Sequence, residues 1–231
     1  MTPVDCDTLK CAALTYDDGP GPHTEQLLGA LAAKNVKATF FVLGRNSTGR
    51  PGVVARMAAE GHAVGNHTWG HADLVRLPPA GITEQLVRAD RAIEAAAGPV
   101  TMMRPPFGAT NLDVTDVTRS LGLAQIMWSV DTLDWKNRDA AKTTALALEG
   151  ARPGSIILMH DIYQSTVQAT PTIIDGLRRR GFTLVTVPQL LGPDVAPGNQ
   201  YFSQYDGRIG PVAATPKTAA PVPPSTSTAT P

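Results

Sequence analysis

Short apolar runs and longer amphipathic stretches alternate seven times between Cys11 and Leu191. The runs Ala12–Tyr16, Ala38–Leu43, His62–Asn66, Thr101–Arg104, Ala124–Val130, Ser155–His160 and Phe182–Val187 have the length and make-up of strands. Between them, helices are expected over Thr24–Lys34 (with Thr24 as its N-cap), Gly52–Glu60, Ile82–Ala97, Leu112–Leu121, Ala140–Glu149 and Thr166–Arg180. Gly61, Gly98 and Gly181 stand where three of these helices should stop. Such βα alternation specifies an α/β fold with a parallel sheet. A closed or nearly closed barrel and an open doubly wound sheet satisfy the pattern equally. Both place chemistry at the C-terminal ends of the strands.

The rest of the chain sorts around that block. With 42% apolar residues it can fill a core, and its 20 basic residues balance 20 acidic ones. No net field therefore recommends nucleic acid or an anionic membrane as a partner. Aromatics at 5% leave few platforms for stacking bases. No apolar run approaches the roughly 20 residues needed to span a bilayer. Met1–Asp7 has neither the basic start nor the apolar stretch of a leader, so the chain is expected to be cytoplasmic or to begin after a leader was removed. Cys6 and Cys11 are expected to close a small loop as a disulfide, which implies an oxidising compartment; two independent thiols are the alternative. The expected organisation is an N-terminal segment over 1–11, one domain over 12–191, an extension over 192–210 and a disordered Pro/Thr/Ala-rich tail over 211–231.

Polar residues gather at the expected strand ends. Asp17 and Asp18 close the first strand in T-Y-D-D-G-P, and His67 and His71 follow the third in N-H-T-W-G-H. Arg104 ends the fourth in R-P-P-F-G, Asp131, Asp134 and Trp135 follow the fifth in D-T-L-D-W, and His160 and Asp161 end the sixth in L-M-H-D. Each has an ordinary explanation: a polar turn, an exposed helix start, a surface cation, a core histidine. Five such clusters at one end of one sheet need a common one. Two histidines four residues apart, with an aspartate at a neighbouring strand end, fit a His₂Asp metal site with an open fourth position. Adjacent strand residues point opposite ways, so Asp17 and Asp18 can serve one site only where the strand bends, and Gly19-Pro20 offers that bend. His23 and His62 are assigned to structure. R-N-S-T-G, Arg45 to Gly49, has Arg where a nucleophile elbow needs Gly, and no phosphate-binding loop follows the first strand. Both cysteines lie outside the clusters, which argues against a thiol nucleophile. Of the glycosylation sequons at Asn46 and Asn66, the second would put a glycan on the histidine loop and is read as a chance match.

Taken in order and spacing, the five motifs resemble those of the NodB-type polysaccharide deacetylases, carbohydrate esterase family 4, over about residues 11–191. Tyr16 stands where Phe is usual and Phe107 where Tyr is common. The resemblance implies a single-domain, deformed (β/α)₇ barrel that removes acetyl groups from sugars with one divalent metal, zinc or in its place cobalt. It implies that Asp18, His67 and His71 bind the metal, that Asp17 is the general base and that His160 is the general acid. By the same token Arg104 positions Asp17, Asp134 orients and charges His160, the backbone N–H of Phe107 is an oxyanion donor, and Trp135 and Leu158 line the acetyl pocket. The implied partner is an acetylated extracellular polysaccharide: peptidoglycan or chitin-type N-acetylglucosamine, with acetylated xylan as the alternative. A secreted or wall-associated location follows. A small-amide hydrolase and an inactive sugar-binding module are the rival readings. Oligomeric state is not legible.

Overall fold

The computed structural model describes residues 4–206. The tail expected over 211–231 lies outside the described residues. From the N-terminus the elements are β1 (Cys11–Asp17), α1 (Thr24–Ala33), β2 (Thr39–Val42), α2 (Gly44–Gly49), α3 (Pro51–Ala59) and β3 (Ala63–Asn66). Next come α4 (Pro79–Ala97), β4 (Met102–Met103), α5 (Leu112–Ser120), β5 (Ala124–Ile126), β6 (Val130–Asp131) and α6 (Asp134–Asn137). The chain continues with α7 (Ala140–Gly150), β7 (Ser155–His160), α8 (Gln164–Arg179), β8 (Thr183–Val185), α9 (Val187–Leu191) and β9 (Gln200–Tyr201).

All strand pairs between these elements are parallel, in the order β6-β7-β1-β2-β3-β4-β5-β9, with β8 added beside β1. The sheet curls into an open, incomplete barrel wrapped by helices, so the barrel alternative holds. The deformation has a visible cause. The run expected as one strand, Ala124–Val130, breaks at Met127–Ser129. Its first half, β5, pairs with β4, and its second half, β6, pairs with β7 at the far edge of the sheet. One stretch of chain thus crosses the seam.

Side-chain alternation divides the core in two. Ala12, Leu14 and Tyr16 of β1, Phe40 and Val42 of β2, and Ile157 and Met159 of β7 pack outwards with Leu27, Leu28 and Leu31 of α1 and Ile173, Ile174 and Leu177 of α8. Ala13, Phe41 and Ile156 turn into the barrel with Cys11, Met102, Ile126 and Val185. Because β1 is buried on both faces, its sequence lacks the polar alternation of a half-exposed strand, with Thr15 the one strongly polar residue between Cys11 and Tyr16. Cys6 and Cys11 are joined as a disulfide, with a sequence separation of 5 residues.

Two expectations need correction. Thr24 is not the N-cap of α1; His23 occupies that position, and the Thr24 hydroxyl instead accepts from the N–H of Gly21 at 2.7 Å. The helix expected from Ile82 begins at Pro79, where a proline at the first turn sacrifices no hydrogen bond. Within the extension, β9 pairs with β5, and Ser203 bridges to Ser155 at the start of β7. No helix among the described residues is long and apolar enough to cross a membrane.

Candidate active site

The alternation that sorts the core also aims the chemistry. Asp17, two residues beyond Thr15 and four beyond Ala13, lies on the inward face of β1. His160 has the same relation to Ile156 on β7, and the two are register partners. An acidic and a basic side chain therefore meet inside the C-terminal mouth of the barrel. Asp18 is the next residue, and an unbroken strand would turn it outwards. Its φ of +74° turns the chain through the left-handed region instead, so the bend falls on Asp18 itself. Surrounding groups hold this turn: the Asn46 amide donates to the Asp18 carbonyl at 2.8 Å, and the Leu43 N–H donates to the Gly19 carbonyl at 2.9 Å.

The histidine loop is bent in the same way, with φ of +69° at Thr68 and +63° at His71. The Asn66 carboxamide oxygen accepts from the Thr68 N–H at 2.6 Å, and the Thr68 hydroxyl accepts from the His71 N–H at 2.9 Å. The Asn66 amide nitrogen donates to the Leu86 carbonyl and to Asp90, so this buried side chain is already committed to holding the loop. The loop delivers His67 Nε2 and His71 Nε2 each to 3.4 Å from Asp18 Oδ1. Candidate ligand atoms of the three residues all lie within 4.8 Å of one another. His67 Nδ1 donates to the Arg104 carbonyl at 2.7 Å, which leaves the lone pair on Nε2 facing Asp18. Burial opposes ionisation of Asp18, but the imidazoles of His67, His160 and His71 around it outweigh that and hold its carboxyl at about 2. Asp18 Oδ1 is buried without a hydrogen-bond partner. A negatively charged oxygen left bare beside two imidazole nitrogens is the donor set of a divalent metal site.

Arg104 is fully buried under the same site. One Nη donates to Asp17 Oδ1 and to the Thr15 hydroxyl, both at 2.8 Å. Nε donates to the Ile126 carbonyl at 2.8 Å and the other Nη to the Met127 carbonyl at 2.9 Å. Those carbonyls sit where the β5–β6 run breaks. The guanidinium carbon also lies 4.3 Å from the centroid of the Phe41 ring.

Across the mouth, His160 Nδ1 donates to Asp134 Oδ1 at 2.8 Å, and the His160 backbone N–H donates to Oδ2 at 2.7 Å. Asp134 also accepts from the Trp135 N–H at 2.9 Å and from the Thr166 hydroxyl at 2.6 Å. Burial would lower the His160 pKa, but the Asp134 carboxylate, helped by Asp17 and Asp18, raises it to about 9. The imidazole is therefore charged near neutrality with its Nε2 free of this bond. Leu158 is nearly buried one inward step below His160, and Trp135 is 46% exposed at the rim. Phe107 is 68% exposed with φ +61°, and its ring centroid stands 4.7 Å from that of His71.

The structure thus brings Asp17, Asp18, His67, His71, Arg104, Asp134 and His160 into one cluster with Phe107, Trp135 and Leu158 around it. His62 stays apart, accepting from the Ala38 N–H at 3.0 Å, and burial drives its pKa down to about 4. Sequence reasoning missed Thr15, Asn46 and Thr166, hydrogen-bonding residues whose types carry no signal by themselves. Two cavities, of about 290 Å³ around Cys6 and Gln204 and about 370 Å³ around Met102 and Val187, share no lining residue with this cluster.

The sequence profile of a family described as polysaccharide deacetylase matches residues 5–126. The peptidoglycan-N-acetylglucosamine deacetylase PgdA of Listeria monocytogenes is 42% identical over 204 residues, which cover 87% of this chain and 43% of that protein. The chain therefore spans less than half the length of that relative. A chitooligosaccharide deacetylase of Bradyrhizobium is 37% identical over 203 residues, covering 80% of this chain and 93% of its own. Among solved structures, the T48 deacetylase with substrate superposes with a TM-score of 0.83 at 47% identity, covering 86% of this chain and 99% of that one.

Proposed function

This chain belongs to the polysaccharide deacetylase family, and on that premise we propose that it hydrolyses the acetamide of N-acetylglucosamine units in peptidoglycan or a chitin-type polymer. The observation that carries the reading is the cluster itself: a His₂Asp donor set with a bare carboxylate oxygen, flanked by a buried Arg–Asp pair and a charged Asp–His pair. The names of the Listeria and Bradyrhizobium relatives, one for peptidoglycan and one for chitooligosaccharide, support that choice of polymer. They also support a secreted or wall-associated location.

In this reading Asp18, His67 and His71 hold one divalent metal, Zn²⁺ in preference, with Co²⁺ as a working substitute. When bound there, the metal would supply Lewis acidity, to polarise the acetyl carbonyl and make water easier to deprotonate. Asp17 takes the proton from the attacking water. Arg104 serves this step by fixing one carboxylate oxygen, which leaves the other free to receive the proton. The Phe107 N–H donates to the oxygen that gains charge, a contribution of about 3–4 kcal/mol for one such donor. An amine cannot leave as its anion, so collapse of the tetrahedral centre needs an acid. His160, charged through Asp134, delivers that proton to the sugar nitrogen. Trp135 and Leu158 enclose the acetyl methyl.

The test is acetate release by metal-stripped protein before and after addition of Zn²⁺ or Co²⁺, on chitin oligomers, peptidoglycan and acetylated xylan in parallel. Metal-dependent release from the first two is expected. Release from xylan alone would move the assignment to an ester hydrolase, and no release from any, with metal bound, would refute it.

A further inference from the structure

One acidic side chain of the mouth has no part in that scheme. Asp161 follows His160, is fully buried, and lies beside the Asp18–Gly19 turn. Its Oδ2 accepts from the Thr24 hydroxyl, and Thr24 in turn accepts from the Gly21 N–H at 2.7 Å. Its Oδ1 is buried with no hydrogen-bond partner. A Cβ placed on Gly19 would lie 2.3 Å and 2.5 Å from the two carboxyl oxygens of Asp161. The carboxyl thus fills the place where residue 19 would carry a side chain.

We propose that Asp161 is a positioning residue for the metal site: from β7 it wedges and ties the Asp18–Gly19–Pro20–Gly21 turn so that the Asp18 carboxylate faces His67 and His71. The inference rests on reading Asp18, His67 and His71 as metal ligands. The turn needs such a support. Asp18 has left-handed backbone, which a residue with a Cβ keeps only when its surroundings impose it. On the α2 side Asn46 and Leu43 grip the carbonyls of Asp18 and Gly19. On the β7 side Ile162 packs against Gly21, and Asp161 meets the turn at Gly19 and through the Thr24 link to Gly21. A methyl-bearing side chain of similar size would fill the same space. The carboxyl adds the hydrogen bond to Thr24 and leaves one oxygen unpaired in the interior, a cost that filling space does not explain.

The experiment uses Co²⁺ as the probe, read by its visible absorption bands and by competition with a chelator, on metal-stripped full-length protein. Asp161→Leu is expected to weaken Co²⁺ binding about 10- to 100-fold and to alter the bands, the range typical of groups that orient a ligand from behind. Asp161→Asn, which can still accept from Thr24, is expected to rescue most of that loss. Thr24→Val breaks the tie while leaving the carboxyl, and should shift affinity and bands the same way; it decides the matter should Asp161→Leu fail to fold. Wild-type affinity and bands in both Asp161→Leu and Thr24→Val, whatever their thermal stability, would overturn the proposal and leave the ligand reading intact. A wild-type protein that gives no Co²⁺ spectrum would overturn both.

Discussion

At the scale of single residues, two adjacent aspartates are given different work by one dihedral angle. Asp17 ends a regular strand and meets Arg104, while Asp18 swings through φ +74° to meet two imidazoles. Asp18→Asn should therefore abolish metal binding and acetate release together. Asp17→Asn should keep the metal, by direct metal analysis, yet lower kcat by at least ~10²; near-normal turnover would break this division of labour. His160 offers a second check. Its pKa in the fold, about 9, exceeds the ordinary 6.5, because the Asp134 carboxylate outweighs the effect of burial. The stabilisation from that pair is complete below about 6.5 and fades as pH rises through about 9. In metal-stripped protein, Asp134→Asn should drop the His160 titration seen by NMR below its wild-type value and flatten the alkaline loss of stability; an unmoved titration would refute the pairing. The residues in these tests were legible because Asp, His and Arg are unusual at the ends of apolar runs. Thr166 and Thr15 were not, since a threonine at a helix start or inside a strand is ordinary whether or not it holds a carboxylate.

At the scale of elements, legibility followed how locally each element is specified. β7 is found residue for residue over Ser155–His160, because its continuous apolar run admits little else. The run from Ala124 to Val130, with Gln125 and Ser129 inside it, carries no Gly or Pro, yet it breaks. What stabilises the break is Arg104, more than twenty positions away, capping the carbonyls of Ile126 and Met127. α2 was missed for a related reason. G-R-N-S-T-G holds poor helix formers, and its first turn hangs on the histidine loop through Gly44 N–H to the Thr68 carbonyl at 3.0 Å and Arg45 N–H to the Trp69 carbonyl at 3.1 Å. Arg104 thus serves the seam as well as Asp17. Arg104→Met should destabilise the fold by about 3–5 kcal/mol in urea unfolding, since it strands a buried carboxylate and two carbonyls. Arg104→Lys should recover only part, because an ammonium cannot reproduce the planar fork. A loss under about 1 kcal/mol in Arg104→Met would show the seam to be held elsewhere.

At the scale of the whole molecule, the sheet is asymmetric about its central strand. β1 pairs with β7 from Ala12 to Asp17 along one edge. The other edge is shared: β8 takes Cys11–Ala13 and β2 takes Thr15–Asp17. Both faces are covered as well, by α1 and α8 outside and by the barrel filling inside. Every residue of β1 is thus buried, with a paired strand along each edge and packed side chains on each face. Its amides should therefore exchange with deuterium only through global opening, and slower than those of α2 and α5; equal rates would show that β1 is exposed by local unfolding. The strand that delivers Asp17 and leads into Asp18 then belongs to the last unit of the protein to come apart, so the outer helices can fray and reclose many times while Asp17 keeps its place against Arg104.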